Sequence, residues 1–206
     1  MKRLLPLNSS SGSSAISPEV LDYVKGLQLG SHAIFFYDSQ EELVQIFNSY
    51  LQGGLARGEA VHLIVPNSEM YANFLRSTGV ADFESLERDR RLRCSLISDC
   101  CVDKGHLSSA KAIQSATKLT EEDRELGFRG TRTITVSTDQ YYLTYGSASD
   151  LLRYERELGR TFNLPFSGFC TYNARNLVDL GLQELVISLF EPHGQIIGKG
   201  LALSKD

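Results

Sequence analysis

Apolar side chains in this chain fall into short unbroken runs, separated by longer stretches in which they recur every third or fourth position. The run Ala33 to Tyr37, and the run from Glu59 to Val65 closed by Pro66, have the length and residue types of buried strands. Between them Leu43, Phe47, Tyr50, Leu51 and Leu55 mark one apolar helix face. Ser39 followed three residues later by Glu42 is a capping box, and Asp38 with Glu41 repeats the register one residue earlier. Gly58, after Arg57, supplies the C-cap. Strand, helix and strand make one βαβ unit with parallel strands.

The same alternation continues. Ser17-Pro18-Glu19 predicts a short helix start, with Val20, Tyr23, Val24 and Leu27 on one side. Asn67 caps a helix through Met70, Phe74 and Leu75 that ends at Gly79, and a further helical piece runs from Asp82 to Arg90. A third strand spans Leu92 to Ile97, and Ser98 to His106 reads as a loop. A weakly amphipathic helix covers 108–126 and is closed by Gly127, before a fourth strand, Thr131 to Val136. Ser147 or Ser149 caps the next helix, with Leu151, Tyr154, Leu158 and Phe162 on its buried face. A fifth strand runs from Phe166 to Tyr172, and Asn176 caps a helix bearing Leu177, Leu180, Leu185, Val186 and Leu189. The segments around Gly198 and Gly200 predict an edge strand or hairpin. The implied class is α/β, a mainly parallel β-sheet with helices on both faces.

Composition places the 206 residues in one globular domain, with 42% hydrophobic and 22% charged residues. Residues 8–14 are serine-rich, so 1–16 is expected to form a flexible tail ahead of a single domain over 17–206. A net charge of −4 argues against direct nucleic-acid binding, and Arg88, Arg90, Arg91 and Arg93 are interleaved with Glu84, Glu87 and Asp89 as on a solvated face. No apolar run approaches the length needed to cross a bilayer, and the four cysteines show neither metal spacing nor a secreted framework. The expected location is the cytoplasm, with reduced thiols and no membrane association.

The turn after the first strand occupies the position of a phosphate-binding loop in nucleotide-binding α/β proteins. Such a loop needs glycines to bring backbone N–H groups around the phosphates and a lysine to neutralise them. Tyr37-Asp38-Ser39-Gln40-Glu41-Glu42 has no glycine, no lysine and three carboxylates, which satisfy the helix N-terminus themselves and repel phosphate.

Several residues in order carry a family resemblance: Gly30, His32 and Phe36-Tyr37; Glu41-Glu42; Gly54 and Gly58-Glu59; Gly127-Phe128-Arg129-Gly130 with Arg132; Tyr154-Glu155; and Cys170-x-Tyr172 with Arg175. The chain resembles the MEDS domain, the sensory domain of methanogens, methylotrophs and a dichloromethane-responsive regulator, over about residues 27–200. The resemblance implies a RecA/KaiC-like three-layer sandwich with a degenerate Walker A loop and a signal-input role with a small organic ligand. Such domains are commonly joined to a DNA-binding helix-turn-helix or a histidine-kinase core. This chain is expected to hold neither, and so to signal through a protein partner such as a histidine kinase or a transcription regulator.

Ligands of open parallel sheets sit beyond the strand carboxyl ends. That rim nominates Tyr37, Asp38, Asp99, Asp139, Tyr172 and Arg175 as ligand-binding residues. Asp, Ser and Asn at such positions also serve as ordinary caps, as expected for Ser39, Asn67 and Asp139. Tyr172 with Arg175 reads equally as a pocket anchor, an aromatic face beside a fixed charge, or as turn structure. His32 and His62 read as structural, Cys100 and Cys101 as small hydrophobes, and Glu155 as the ion-pair partner of Arg132 or Arg129. Spacing places no nucleophile–base pair, metal cluster or cofactor. The expected function is a non-catalytic sensory domain; a residual KaiC-like NTPase and a ligand-free adaptor are the alternatives.

Overall fold

The computed structural model describes residues 15–80, 82–159, 165–199 and 201–204. Residues 1–14 of the expected tail, and Phe162 of the predicted helix face, lie outside them. Ile16, at the end of that expected tail, is buried in the core, and its N–H donates to Gln45 Oε1 at 3.0 Å.

Helix α1 (Pro18–Gly26) starts at the Ser17 cap. Strand β1 (His32–Tyr37) then feeds α2 (Gln40–Arg57), and Gly58, at φ 72°, ends that helix as a left-handed cap bonded to the Gly54 and Leu55 carbonyls. Strand β2 (Ala60–Val65) is buried along its whole length. Helices α3 (Ser68–Thr78) and α4 (Phe83–Arg88) lead to β3 (Leu92–Leu96).

The expected loop over Ser98 to His106 is instead structured. Ile97–Cys101 form a short helix, α5, followed by a two-strand hairpin, β4 (Val102–Asp103) and β5 (His106–Leu107). Lys104 and Gly105 take φ of 49° and 81°, which suits a two-residue hairpin turn. Elements this short leave no periodic signal.

Helix α6 (Ser109–Glu125) precedes β6 (Thr131–Thr135), α7 (Thr138–Thr144), α8 (Ala148–Gly159) and β7 (Phe166–Asn173). Asn173, not Asn176, caps the following helix: its side chain accepts from the Asn176 N–H. The single helix expected there is two, α9 (Ala174–Asp179) and α10 (Gln183–Ser188), because Gly181 turns left-handed at φ 71°. Strands β8 (Gln195–Gly198) and β9 (Leu201–Ser204) close the chain.

Among the described residues the main sheet runs β3-β2-β6-β7-β1-β8-β9. Every pairing is parallel except β8 with β9. Strands β1 and β2 of the opening unit are parallel but are separated by β6 and β7. Helices cover both faces, so the strands are buried on both sides, as a parallel sheet requires.

Strand alternation divides the core in two. Ala33, Phe35, Leu63, Ile134 and Phe169 face α1, α2 and α3, with Val24, Phe47, Tyr50 and Phe74. Ile34, Ile64, Cys170 and Tyr172 face the opposite way, with Ile97, Leu151, Leu177 and Leu189. On the first face Arg132 is fully buried, bonded through Nε to Glu59 and through Nη2 to the Leu27 carbonyl, and its guanidinium carbon lies 4.8 Å from the Tyr50 ring centroid. On the second, His62 Nε2 lies 3.1 Å from Asp123 Oδ2 and 3.1 Å from Arg93 Nε, and Thr131 donates to Asp123 at 2.6 Å.

Candidate functional site

The carboxyl ends of β1, β6 and β7 frame a cleft of about 410 Å³. Tyr37, Asp38, Ser137, Asp139, Asn173 and Arg175 are among its lining residues. Half of the expected capping box forms at its edge: the Glu42 N–H donates to Ser39 Oγ at 3.3 Å, but Glu42 Oε2 accepts from the Asp38 N–H, one residue before the cap, at 2.8 Å. Lys199 Nζ bridges Glu42 Oε1 at 2.7 Å and Asp38 Oδ2 at 2.9 Å, and these bonds, Glu42's first, raise the pKa of the lysine. A resident cation thus answers the carboxylates at the helix start.

Deeper in the cleft Tyr37 Oη lies 3.3 Å from Ser137 Oγ. Ser137 is held at φ 52°, a left-handed conformation that a non-glycine residue rarely takes. Burial, joined by the charge of Asp139, pushes the Tyr37 phenol up to about 12 against the Ser137 bond. Asp139 is buried and ties two elements together, accepting from the Asn173 N–H at 3.1 Å and from the Asn176 side chain. Arg175 is exposed, and among the described residues its guanidinium makes no ion pair.

A second constellation lies at the other end of β1. His32 begins the strand, Cys170 lies on the neighbouring β7, Glu155 comes from α8, and His193 follows α10. All four are buried, and one potential donor atom from each falls within 4.8 Å of the others. Glu155 Oε2 is 3.6 Å from His32 Nε2 and 3.6 Å from His193 Nε2. Cys170 Sγ is 3.7 Å from His32 Nε2 and 3.8 Å from Glu155 Oε2. Tyr172 donates to the other carboxylate oxygen, Oε1, at 2.5 Å. Burial lowers the His32 pKa to about 4, opposed by its bond to the Pro192 carbonyl, and pushes Glu155 up to about 7. The Cys170 thiol is likewise held well above its ordinary range by burial and then by the neighbouring Glu155 charge.

A smaller cavity, about 60 Å³, lies between α6, α8 and the sheet and touches Cys100, Cys101, Tyr154 and Cys170. It falls well short of the roughly 300 Å³ at which ligand pockets begin.

The family model of the MEthanogen/methylotroph, DcmR Sensory domain matches residues 31–188, well over half of the chain. The chain belongs to the MEDS family. No curated protein sequence matches it. Among solved structures the MEDS chain is similar to a protein of Pyrococcus horikoshii OT3, Project ID PH0250. The two share 10% identity, with 91% of each chain covered and a TM-score of 0.60, a likeness that shows fold alone.

Of the MEDS residues nominated from sequence, Tyr37, Asp38, Asp139 and Arg175 share the rim cleft. Asp99 lies outside it, exposed in the first turn of α5 after the edge strand β3, with β2 and β6 between it and β7. Tyr172 lies outside it too: strand parity turns its ring away from the Tyr37 face and into the second core, where it meets Phe36 with ring centroids 5.9 Å apart. Glu155 pairs with neither Arg132 nor Arg129; Arg132 is engaged by Glu59 on the opposite face of the sheet. His32 is bonded across the fold, to the carbonyl of Pro192, 160 residues away. Sequence reasoning missed the convergence of His32, Glu155, Cys170 and His193. Its trace was that three of the four stand in the residue pattern carrying the resemblance.

Proposed function

We propose that this MEDS domain is a non-catalytic signal-input module that binds a small organic molecule in the rim cleft and signals through a protein partner, in the cytoplasm. The observation that carries the reading is the cleft itself, beyond the carboxyl ends of the central strands, where the exposed Arg175 joins Tyr37 and Ser137 in the lining. Arg175 gives a carboxylate or phosphate of the ligand paired hydrogen bonds, and Tyr37 and Ser137 line the same cleft.

Helix α9 is suited to relay occupancy. It carries Arg175 and Asp179 in the cleft, while Val178 and Leu180 at its C-terminal end, and Ile187 in α10, expose apolar side chains, Ile187 at 69%. A kinase or transcription regulator seated there would feel a shift of α9. The reading includes descent from a KaiC/RecA-like ATPase whose phosphate loop has decayed, supported by the Asp38–Glu42–Lys199 network at the start of α2. The same network weighs against the residual-NTPase alternative.

Native mass spectrometry of the purified protein, followed by calorimetry with the released compound, tests the reading. Arg175→Ala is expected to cost roughly 1.5–3 kcal/mol of binding, about one to two decades in affinity, with the fold intact. Unchanged affinity in a folded Arg175→Ala protein would move the ligand elsewhere.

A further inference from the structure

We infer that His32, Glu155, Cys170 and His193 form a four-coordinate site for a divalent transition-metal ion, with zinc the best fit. Both histidine nitrogens stand 3.6 Å from Glu155 Oε2, beyond an ordinary N–H···O hydrogen bond, and the sulfur stands 3.7 and 3.8 Å from its neighbours. One potential donor atom from each of the four lies within 4.8 Å of the others. Zinc bond lengths of about 2.0–2.3 Å in a tetrahedron separate N, O and S donors by roughly 3.3–3.6 Å. The four observed spacings match that frame within a few tenths of an ångström, and the remaining pairs fall within 4.8 Å.

Bonds around the four groups orient them for the task. His32 Nδ1 lies 3.2 Å from the Pro192 carbonyl, and His193 Nδ1 lies 2.7 Å from the Leu189 carbonyl. A carbonyl only accepts, so Nδ1 carries the hydrogen in both rings and Nε2 presents its lone pair inward. Tyr172 holds Glu155 Oε1 and leaves Oε2 facing the centre. Metal-bound histidines and carboxylates in proteins are held in this way by outer hydrogen bonds. The chain also staples the two histidine segments together, since the Gly194 N–H donates to the His32 carbonyl at 2.9 Å.

Charge and softness select the ion. A thiolate, a carboxylate and two neutral imidazoles balance a dication, so the buried set is neutral when filled. Two nitrogens, one sulfur and one oxygen suit zinc, whereas calcium and magnesium require oxygen ligands. Four protein donors leave no open position, so the ion acts as a clamp joining β1, β7, α8 and the segment after α10. The residues are separate from those of the rim cleft, so this site and the ligand-binding reading stand or fall independently.

The test uses the full chain, stripped by chelator in guanidinium, refolded and titrated with Co²⁺ alone, then with Zn²⁺ in competition. The expected result is one Co²⁺ per chain, with tetrahedral visible bands and a thiolate charge-transfer band, displaced by Zn²⁺. Cys170→Ser should remove the charge-transfer band. Tyr172→Phe should weaken binding about 10–100-fold, as loss of an outer-shell partner does. His62→Gln, in the separate Asp123 network, should leave it unchanged. His193→Gln replaces Cys170→Ser if the latter does not fold, and should lose stoichiometric binding. Refolded wild-type protein with native circular dichroism that takes up no Co²⁺ or Zn²⁺ overturns the site, as does a charge-transfer band that survives loss of Cys170.

Discussion

Tyr172 and Glu155 are joined by a 2.5 Å hydrogen bond between fully buried groups, one on a central strand and the other on a covering helix. The bond makes Tyr172 part of the interior of the molecule and removes it from the rim where its sequence position nominated it. Tyr172→Phe should therefore leave a buried carboxylate oxygen without its donor, costing roughly 1–3 kcal/mol in metal-stripped protein. Tyr172→Ala, which also opens a cavity, should cost about 3–5 kcal/mol. Urea unfolding of both variants checks this, and a change of a few tenths for both would show that the phenol is not packed as described.

Helices α1 and α2 approach so closely that a methyl group does not fit between them. A Cβ added at Gly53 would lie 2.2 Å from the Lys25 carbonyl oxygen, a backbone atom that cannot swing aside. Gly53→Ala should destabilise the fold by about 1–3 kcal/mol despite alanine's better helix propensity. A thermal melt unchanged from wild type would mean that α1 is free to shift.

The Arg132–Glu59 pair is buried on the face that α2 covers. Glu59→Gln leaves the guanidinium charge without its counter-charge and should cost about 3–5 kcal/mol, whereas a double change to apolar residues of similar volume should cost much less. A double-mutant cycle in chemical denaturation separates the two outcomes. Equal losses for the single and the double change would place the cost in packing instead.

Burial holds His62 below its ordinary value of 6.5, against the bond to Asp123, which raises it. The unfolded chain therefore binds the proton that folded His62 refuses. The stability contributed is full above pH 6.5 and falls as the pH drops through that value towards the folded pKa. His62→Gln should flatten the acid side of the stability profile relative to wild type, read by unfolding at stepped pH. A wild-type-minus-variant difference that stays constant across the window would contradict a desolvated imidazole.

The carboxylates and the lysine at the start of α2 predict that Mg²⁺-ATP gives no binding isotherm in calorimetry. Micromolar affinity that disappears on changing Asp38 and Glu42 would restore the nucleotide reading.

The sequence by itself determined the local features. The Ser39–Glu42 cap bond, the Gly58 cap, the unbroken runs of β1 and β2 and the repeated strand–helix order all depend on neighbours a few residues apart, and they sufficed for the α/β class. Four of the six nominated residues share the rim cleft because rim positions follow from where strands end. Only the tertiary structure decided strand order, which places Asp99 beyond an edge strand, and the meeting of His32 with Glu155, Cys170 and His193. The physical reason is separation: Cys170 comes 138 positions after His32, and Pro192 comes 160 after it. No spacing rule reaches across such a distance; register between β1 and β7, and the packing of α8 above them, bring these atoms together.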